Sequence, residues 1–132
     1  MAFWRLFLAS SGPYETASRS MLTKGGTTKT IVPDFIDGSD LIEVKGGLAD
    51  IYIDDQWRAY FDILGYKYDR TTGKWVREIA PEVAQFKTLT IHVRPGVEFK
   101  GRLKDAIETI SRDRVGGRPA IQVIADVIIE GD

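Results

Sequence analysis

Basic and aromatic residues alternate along YKYDRTTGKWVREI, residues 66–79, around a Thr-Thr-Gly tip. Together with the residues just before this stretch, ten tryptophans, tyrosines, lysines and arginines fall between Trp57 and Arg77. Lysine and arginine neutralise phosphates and release their counterions. Aromatic faces stack unpaired bases, each worth about 1–3 kcal/mol. Strand alternation would put Tyr66 and Tyr68 on one face and Lys67 and Asp69 on the other. On the return strand Trp75 and Arg77 would lie opposite Lys74 and Val76. The spacing therefore gives a candidate nucleic-acid surface: Arg58, Lys67, Arg70, Lys74 and Arg77 to phosphate, with exposed members of Trp57, Tyr66 and Tyr68 stacking on bases. The ordinary alternative is that Trp75 and one tyrosine pack as core on the preceding helix. That reading still leaves Lys67, Arg70, Lys74 and Arg77 exposed near the tip.

His92, the only histidine, alternates outward with Arg94 on a later strand. It reads as an exposed strand residue or, with Arg94, as a further phosphate contact. KGGTTKT, residues 24–30, invites comparison with a phosphate-binding loop. Thr28 stands where glycine should precede the lysine, and Pro33 hinders a following helix, so a plain loop accounts for it better. The acids Asp34, Asp37, Asp40, Asp54 and Asp55 lack the spacing of a calcium loop, and turn and cap chemistry explains most of them. No cysteine is present, which removes disulfides, thiolate metal sites and thiol catalysis. No nucleophile–base pair stands out, so the sequence names no catalytic residue, metal ligand or cofactor. It leaves carboxylate and metal chemistry open.

The elements that position these residues follow from periodicity. Residues 2–9 read as a strand. Tyr14, Ala17, Met21 and Leu22 fall at roughly helical spacing, and residues 28–36 read as an edge strand because of Pro33. Residues 41–45 and 48–53 flank Gly46-Gly47 as a hairpin. Asp54 or Asp55 caps a helix whose Trp57, Tyr60, Phe61 and Leu64 share a face, and Gly65 ends it. Residues 66–79 form a second hairpin. Ala80-Pro81-Glu82 opens a helix. Leu89, Ile91 and Val93 mark a half-buried strand. Leu103, Ala106, Ile107 and Ile110 stripe a helix closed by Gly116-Gly117, and residues 120–129 form a last strand. This is an α+β chain of one domain, with a mixed or mostly antiparallel sheet and two or three helices. No run of about 18 apolar residues occurs, so no membrane span is expected. The missing cysteines fit a reducing compartment, and the expected location is cytoplasmic.

The 132 residues carry a net charge of −1, but unevenly. Residues 56–118 hold thirteen bases against eight acids, between two acidic ends. Such a centre gives a local footprint without a high isoelectric point. On helix 101–115 the acids Asp105, Glu108 and Asp113 allow local pairing of Arg102, Lys104, Arg112 and Arg114, which reads as a solvated face.

Leu64-Gly65, Tyr68-Asp69 and Gly73-Lys74-Trp75, within residues 48–86, resemble the small strand–helix–hairpin–helix module of HARP domains in annealing helicases. They also resemble similar modules in phage and plasmid DNA-handling proteins. The resemblance covers about 40 residues and includes no helicase motor. It implies DNA binding and no more. The expectation is a small non-enzymatic nucleic-acid-binding protein of phage or mobile-element type, taking single strands or junctions of DNA or RNA. Two alternatives stand beside it. One is a protein-interaction module, an inhibitor of a host system or a small assembly subunit, pairing through edge strands with a partner or its own copies. The other is a small-nucleotide-binding protein.

Overall fold

The computed structural model describes residues 19–22, 28–31 and 33–128. Strands β1 (Arg19–Leu22) and β2 (Thr28–Ile31) pair antiparallel as a separate two-stranded sheet. Met21 and Leu22 are thus in a strand, not the helix expected. A strand follows Lys29 rather than a helix, which removes the phosphate-binding-loop geometry. The strand expected over residues 2–9, and Tyr14 and Ala17 of the expected helix, lie outside the described residues.

The main sheet has the order β10-β7-β4-β3. Edge strand β3 (Phe35–Asp37) turns through Gly38-Ser39 into β4 (Asp40–Lys45), antiparallel, with Phe35 opposite Ile42 and Asp37 opposite Asp40. The chain crosses through α1 (Asp55–Ile63) and the hairpin β5 (Tyr66–Asp69)–β6 (Lys74–Arg77). It returns as β7 (Thr88–Val93), parallel to β4. It crosses again through α2 (Gly101–Ser111) and a small hairpin, β8 (Arg114–Val115)–β9 (Arg118–Pro119), to β10 (Ile121–Ala125), parallel to β7. The fold is α+β with a mixed sheet and, among the described residues, two α-helices.

Side chains on a strand alternate between faces, so register decides what each face carries. Leu41, Leu89, Ile91, Val93 and Ile121 share one cluster with Trp57, Tyr60 and Phe61 of α1 and Leu103, Ala106 and Ile110 of α2. Both helices therefore cover one face of the sheet. Each fully buried ring or branched chain contributes about 1.5–3 kcal/mol. On the opposite face, Ile42 and Val44 pack with Phe35 and Val127. The polar residues there are paired: Asp40 accepts from the Thr88 and Thr90 hydroxyls at 2.7 and 2.8 Å. Burial raises the Asp40 pKa against those two bonds.

Several local expectations are corrected. Residues 48–53 do not pair back on β4, and Ile51 instead bridges to Phe99. Pro81–Val83 is a single 3₁₀ turn, not the start of an α-helix. α2 stops at Ser111, and Gly116-Gly117 turns the β8–β9 hairpin. β7 is a central strand buried on both faces, not half-buried. His92 is accordingly 2 % exposed, with Nδ1 2.7 Å from Asp126 Oδ1, so it is neither an exposed strand residue nor a phosphate contact.

Among the described residues no helix is long and apolar enough to cross a membrane.

Candidate functional site

Extending the β3–β4 register by one residue sets Asp34 opposite Glu43. The Val44 backbone N–H donates to Asp34 Oδ2 at 2.7 Å and fixes that placement. Glu43 and Lys45 are two apart on β4 and share the helix-covered face. The same face receives α1. Asp54 caps that helix by accepting from the Trp57 N–H at 3.1 Å, and the cap aims Gln56 and Tyr60, one turn apart, at Glu43. Gln56 Nε2 donates to Glu43 Oε2 at 3.0 Å, and the Tyr60 hydroxyl donates to the same oxygen. Lys45 Nζ lies 3.9 Å from Glu43 Oε1 and 5.3 Å from the centre of the Trp57 ring.

Glu43 is 4 % exposed, whereas Asp34, Lys45 and Gln56 are half-buried and reach the surface. Burial, and then hydrogen bonding with Asp34, pushes the Glu43 carboxyl from 4.5 up to about 8; Tyr60 and Lys45 oppose the rise. Asp34 acts on Glu43 both as a hydrogen-bond partner and as a nearby like charge, each raising the Glu43 pKa. Burial followed by the Glu43 charge drives the Tyr60 phenol upward, so Tyr60 stays a neutral donor. The sequence reading treated Asp34 as a turn acid and passed over Glu43 and Lys45. The signal was an acid-x-lysine pair on one strand face, with a second acid facing it across a two-residue turn. Among the described residues no group of three or more His, Cys, Asp or Glu converges. Two carboxylates beside an ammonium group make up the charged part of this site.

The residues singled out around the hairpin divide. Trp57 and Tyr66 are 1 % and 2 % exposed and belong to the core, which removes both from base stacking. Arg77 is also committed inward: Nη1 donates to the Ile79 carbonyl at 3.0 Å, and Nε forms an ion pair with Asp113. Arg94 is half-buried and engaged. Lys67, Arg70 and Lys74 stay exposed and form no salt bridge among the described residues. Asp69 does not neutralise them by pairing: its carboxylate accepts from the Thr71 N–H and the Thr72 hydroxyl, which lowers its pKa. Tyr68 is 43 % exposed, with its ring edge-on to Trp75 at 5.7 Å. Trp75 is half-buried against Phe61, at 5.2 Å.

Between this hairpin and α2 runs a groove of about 680 Å³. Tyr68, Arg70 and Lys74 line its hairpin wall, and Arg102 and Arg112 line the α2 wall. Arg58, paired with Asp55 at 3.1 Å, stands at the α1 end. Gln56 and Arg58 point about 200° apart around α1, so groove and carboxylates occupy opposite sides of that helix.

No family model, curated protein or solved structure matches the chain.

Proposed function

We propose that the chain acts on nucleic acid as a metal-dependent phosphodiesterase, with Asp34, Glu43 and Lys45 at the reacting phosphate. One observation carries the reading: two carboxyls on neighbouring strands converge beside a lysine, a donor set that a divalent cation would bind in competition with protons. The donor set suits magnesium or manganese, which take one or two carboxylates and complete their shell with water and substrate phosphate oxygens. Glu43 Oε2 is engaged by Gln56 and Tyr60, and Asp34 Oδ2 by Val44. A cation would bind through Asp34 Oδ1 and through Glu43 Oε1, where it would compete with the 3.9 Å Lys45 contact. When bound, the ion supplies a Lewis acid for the phosphoryl oxygen and an acidified water.

The remaining roles belong to the chain. Tyr60 and Gln56 hold Glu43 in place. Lys45, braced on the Trp57 ring, faces charge that develops on the attacked phosphate. In the reaction, water oxygen bonds to phosphorus, one P–O ester bond breaks, and the departing oxygen takes a proton. The unpaired cations Lys67, Arg70 and Lys74 favour a polyanionic substrate over an isolated diester. This keeps the nucleic-acid partner expected from the sequence, and its phage or mobile-element setting, and adds chemistry to the binding.

The test is cleavage of single-stranded and duplex oligonucleotides with magnesium or manganese. Glu43→Gln and Asp34→Asn should abolish it while the circular dichroism spectrum is kept. Wild-type protein that leaves every substrate intact with either metal would sink the reading.

A second reading, pairing of chains through the edge of the main sheet, rests on β10. Its Val123 is 41 % exposed, and Ile128 just beyond is 58 % exposed. A sedimentation mass of one chain at micromolar concentration would remove self-pairing.

A further inference from the structure

We infer that the groove between the β5–β6 hairpin and α2 is a separate site for an unpaired stretch of nucleic acid, and that it favours bases carrying an amino group. The inference rests on the phosphodiesterase reading only for its physiological meaning; the site itself lies on the far side of α1 from the carboxylates. Three observations support it.

The first is the arrangement of charge. Two unpaired cations on the hairpin, Arg70 and Lys74, face Arg102 of α2 and Arg112, which caps its C-terminus, across the groove. Two walls of opposed cations suit one strand lying between them, with phosphates along the rims. The second is size. A volume of about 680 Å³ falls within the roughly 300–1,000 Å³ of pockets that enclose small ligands. That is room for a nucleotide segment, and far less than a double helix would need to lie within it. Tyr68, half-exposed and braced edge-on by Trp75, offers such a segment a ring face.

The third is the acids. Asp105 and Glu108 line the same α2 wall between Arg102 and Arg112. Carboxylates there repel phosphate, so they hold the backbone at the rims and leave the middle of the wall to base edges. A carboxylate accepts from an exocyclic amino group, as on cytosine N4, and thymine has none. The spacing that reads as self-neutralising surface in sequence thus forms an alternation of phosphate and base contacts along one stripe of α2.

The test measures fluorescence anisotropy of labelled oligonucleotides of about 12 residues, a length within single-strand site sizes, with the full chain in EDTA. Cleavage is then silent and binding is read alone. Oligo-dC should bind at least about tenfold more tightly than a duplex of equal length, and at least about fivefold more tightly than oligo-dT. The exposed pair Arg102→Glu with Arg112→Glu should weaken oligo-dC binding at least about tenfold. Asp105→Asn with Glu108→Gln should narrow the gap between dC and dT. Unchanged oligo-dC affinity in the double arginine variant, equal binding of duplex, or equal binding of dT would each overturn the assignment. Glu43→Gln separates the two readings. It removes cleavage and keeps anisotropy if both hold, whereas intact anisotropy with no wild-type cleavage leaves this site standing and sinks the phosphodiesterase.

Discussion

The Tyr66 hydroxyl donates to Asp113 Oδ2 at 2.6 Å, tying the start of β5 to the chain just past α2. Arg77 closes the triangle: Nη2 donates to the Tyr66 oxygen at 2.6 Å, Nε reaches the same Asp113 oxygen at 3.3 Å, and the guanidinium lies 4.4 Å from the Tyr66 ring centre. Burial and then the Asp113 bond drive the Tyr66 phenol upward, so it remains a donor. These three residues fix the hairpin against α2 and so set the groove's width. Tyr66→Phe and Asp113→Ala should each lower the unfolding free energy by about 1–3 kcal/mol, read by urea denaturation. A loss within error for both would show that the triangle does not hold the hairpin.

Arginine 77 and Lys74 are three residues apart, and both looked like phosphate contacts in sequence. In the structure Arg77 is bonded inward to Ile79 and Asp113, whereas Lys74 is exposed. Lys74→Gln should reduce the salt slope of oligonucleotide binding by about one. Arg77→Gln should lower stability and leave that slope unchanged. A slope that responds to Arg77 and ignores Lys74 would reverse the assignment.

The Glu43 carboxyl carries a pH signature. Its folded pKa is raised from 4.5 to about 8, so the folded state binds this proton more tightly than the unfolded chain. The stabilisation is complete below pH 4.5 and is lost as pH climbs toward 8. In metal-free buffer the Glu43 share of stability should therefore fall across that window. Manganese or magnesium should restore it at the alkaline end, where the proton no longer competes, and metal affinity should rise with pH over the same range. Glu43→Gln should flatten the slope. Thermal unfolding across pH, with and without metal, checks all three. A metal-free profile identical in wild type and Glu43→Gln would refute the raised Glu43 pKa.

Glycine 65 ends α1 with φ +99, and an added Cβ would come 2.8 Å from the Ile79 carbonyl oxygen. The Gly65 carbonyl also accepts from the Glu78 and Ile79 N–H groups at 2.8 and 3.0 Å. Gly65→Ala should destabilise by more than about 1 kcal/mol, because backbone and not a flexible side chain blocks the space. Gly47→Ala, which meets nothing within 4 Å, should stay within about 0.5 kcal/mol of wild type. Equal melting temperatures for the two variants would contradict this account.

Local rules made α1 legible: an aspartate cap, a buried stripe at 57, 60, 61 and 64, and a glycine stop all stand where sequence put them. The second hairpin and the α2 stripe were readable for the same reason. Long-range placement was not. Thr90 and His92 looked solvent-facing because alternation implies one wet face, yet β7 has a strand on each side and partners on both faces. Gly46-Gly47 reads as a hairpin tip, but the segment after it leaves the sheet to bridge to Phe99. The hairpin's exposed cations were foreseen. Arg102 and Arg112 as the facing wall were not, since no local pattern says which side of α2 will meet another element. The carboxylate pair was hidden in the same way, because Asp34 and Glu43 become neighbours only through strand register.

That register hangs on two residues, Gly38 and Ser39, the first held at φ +61. Side chains change face with every step along a strand, so one residue inserted here would swing Asp34 to the opposite side of the sheet. Both acids would survive in the chain and yet never meet. Loop length at this bend is thus as much a determinant of the proposed phosphodiesterase as the acids themselves, and a single added residue would be expected to abolish cleavage without altering one charged residue.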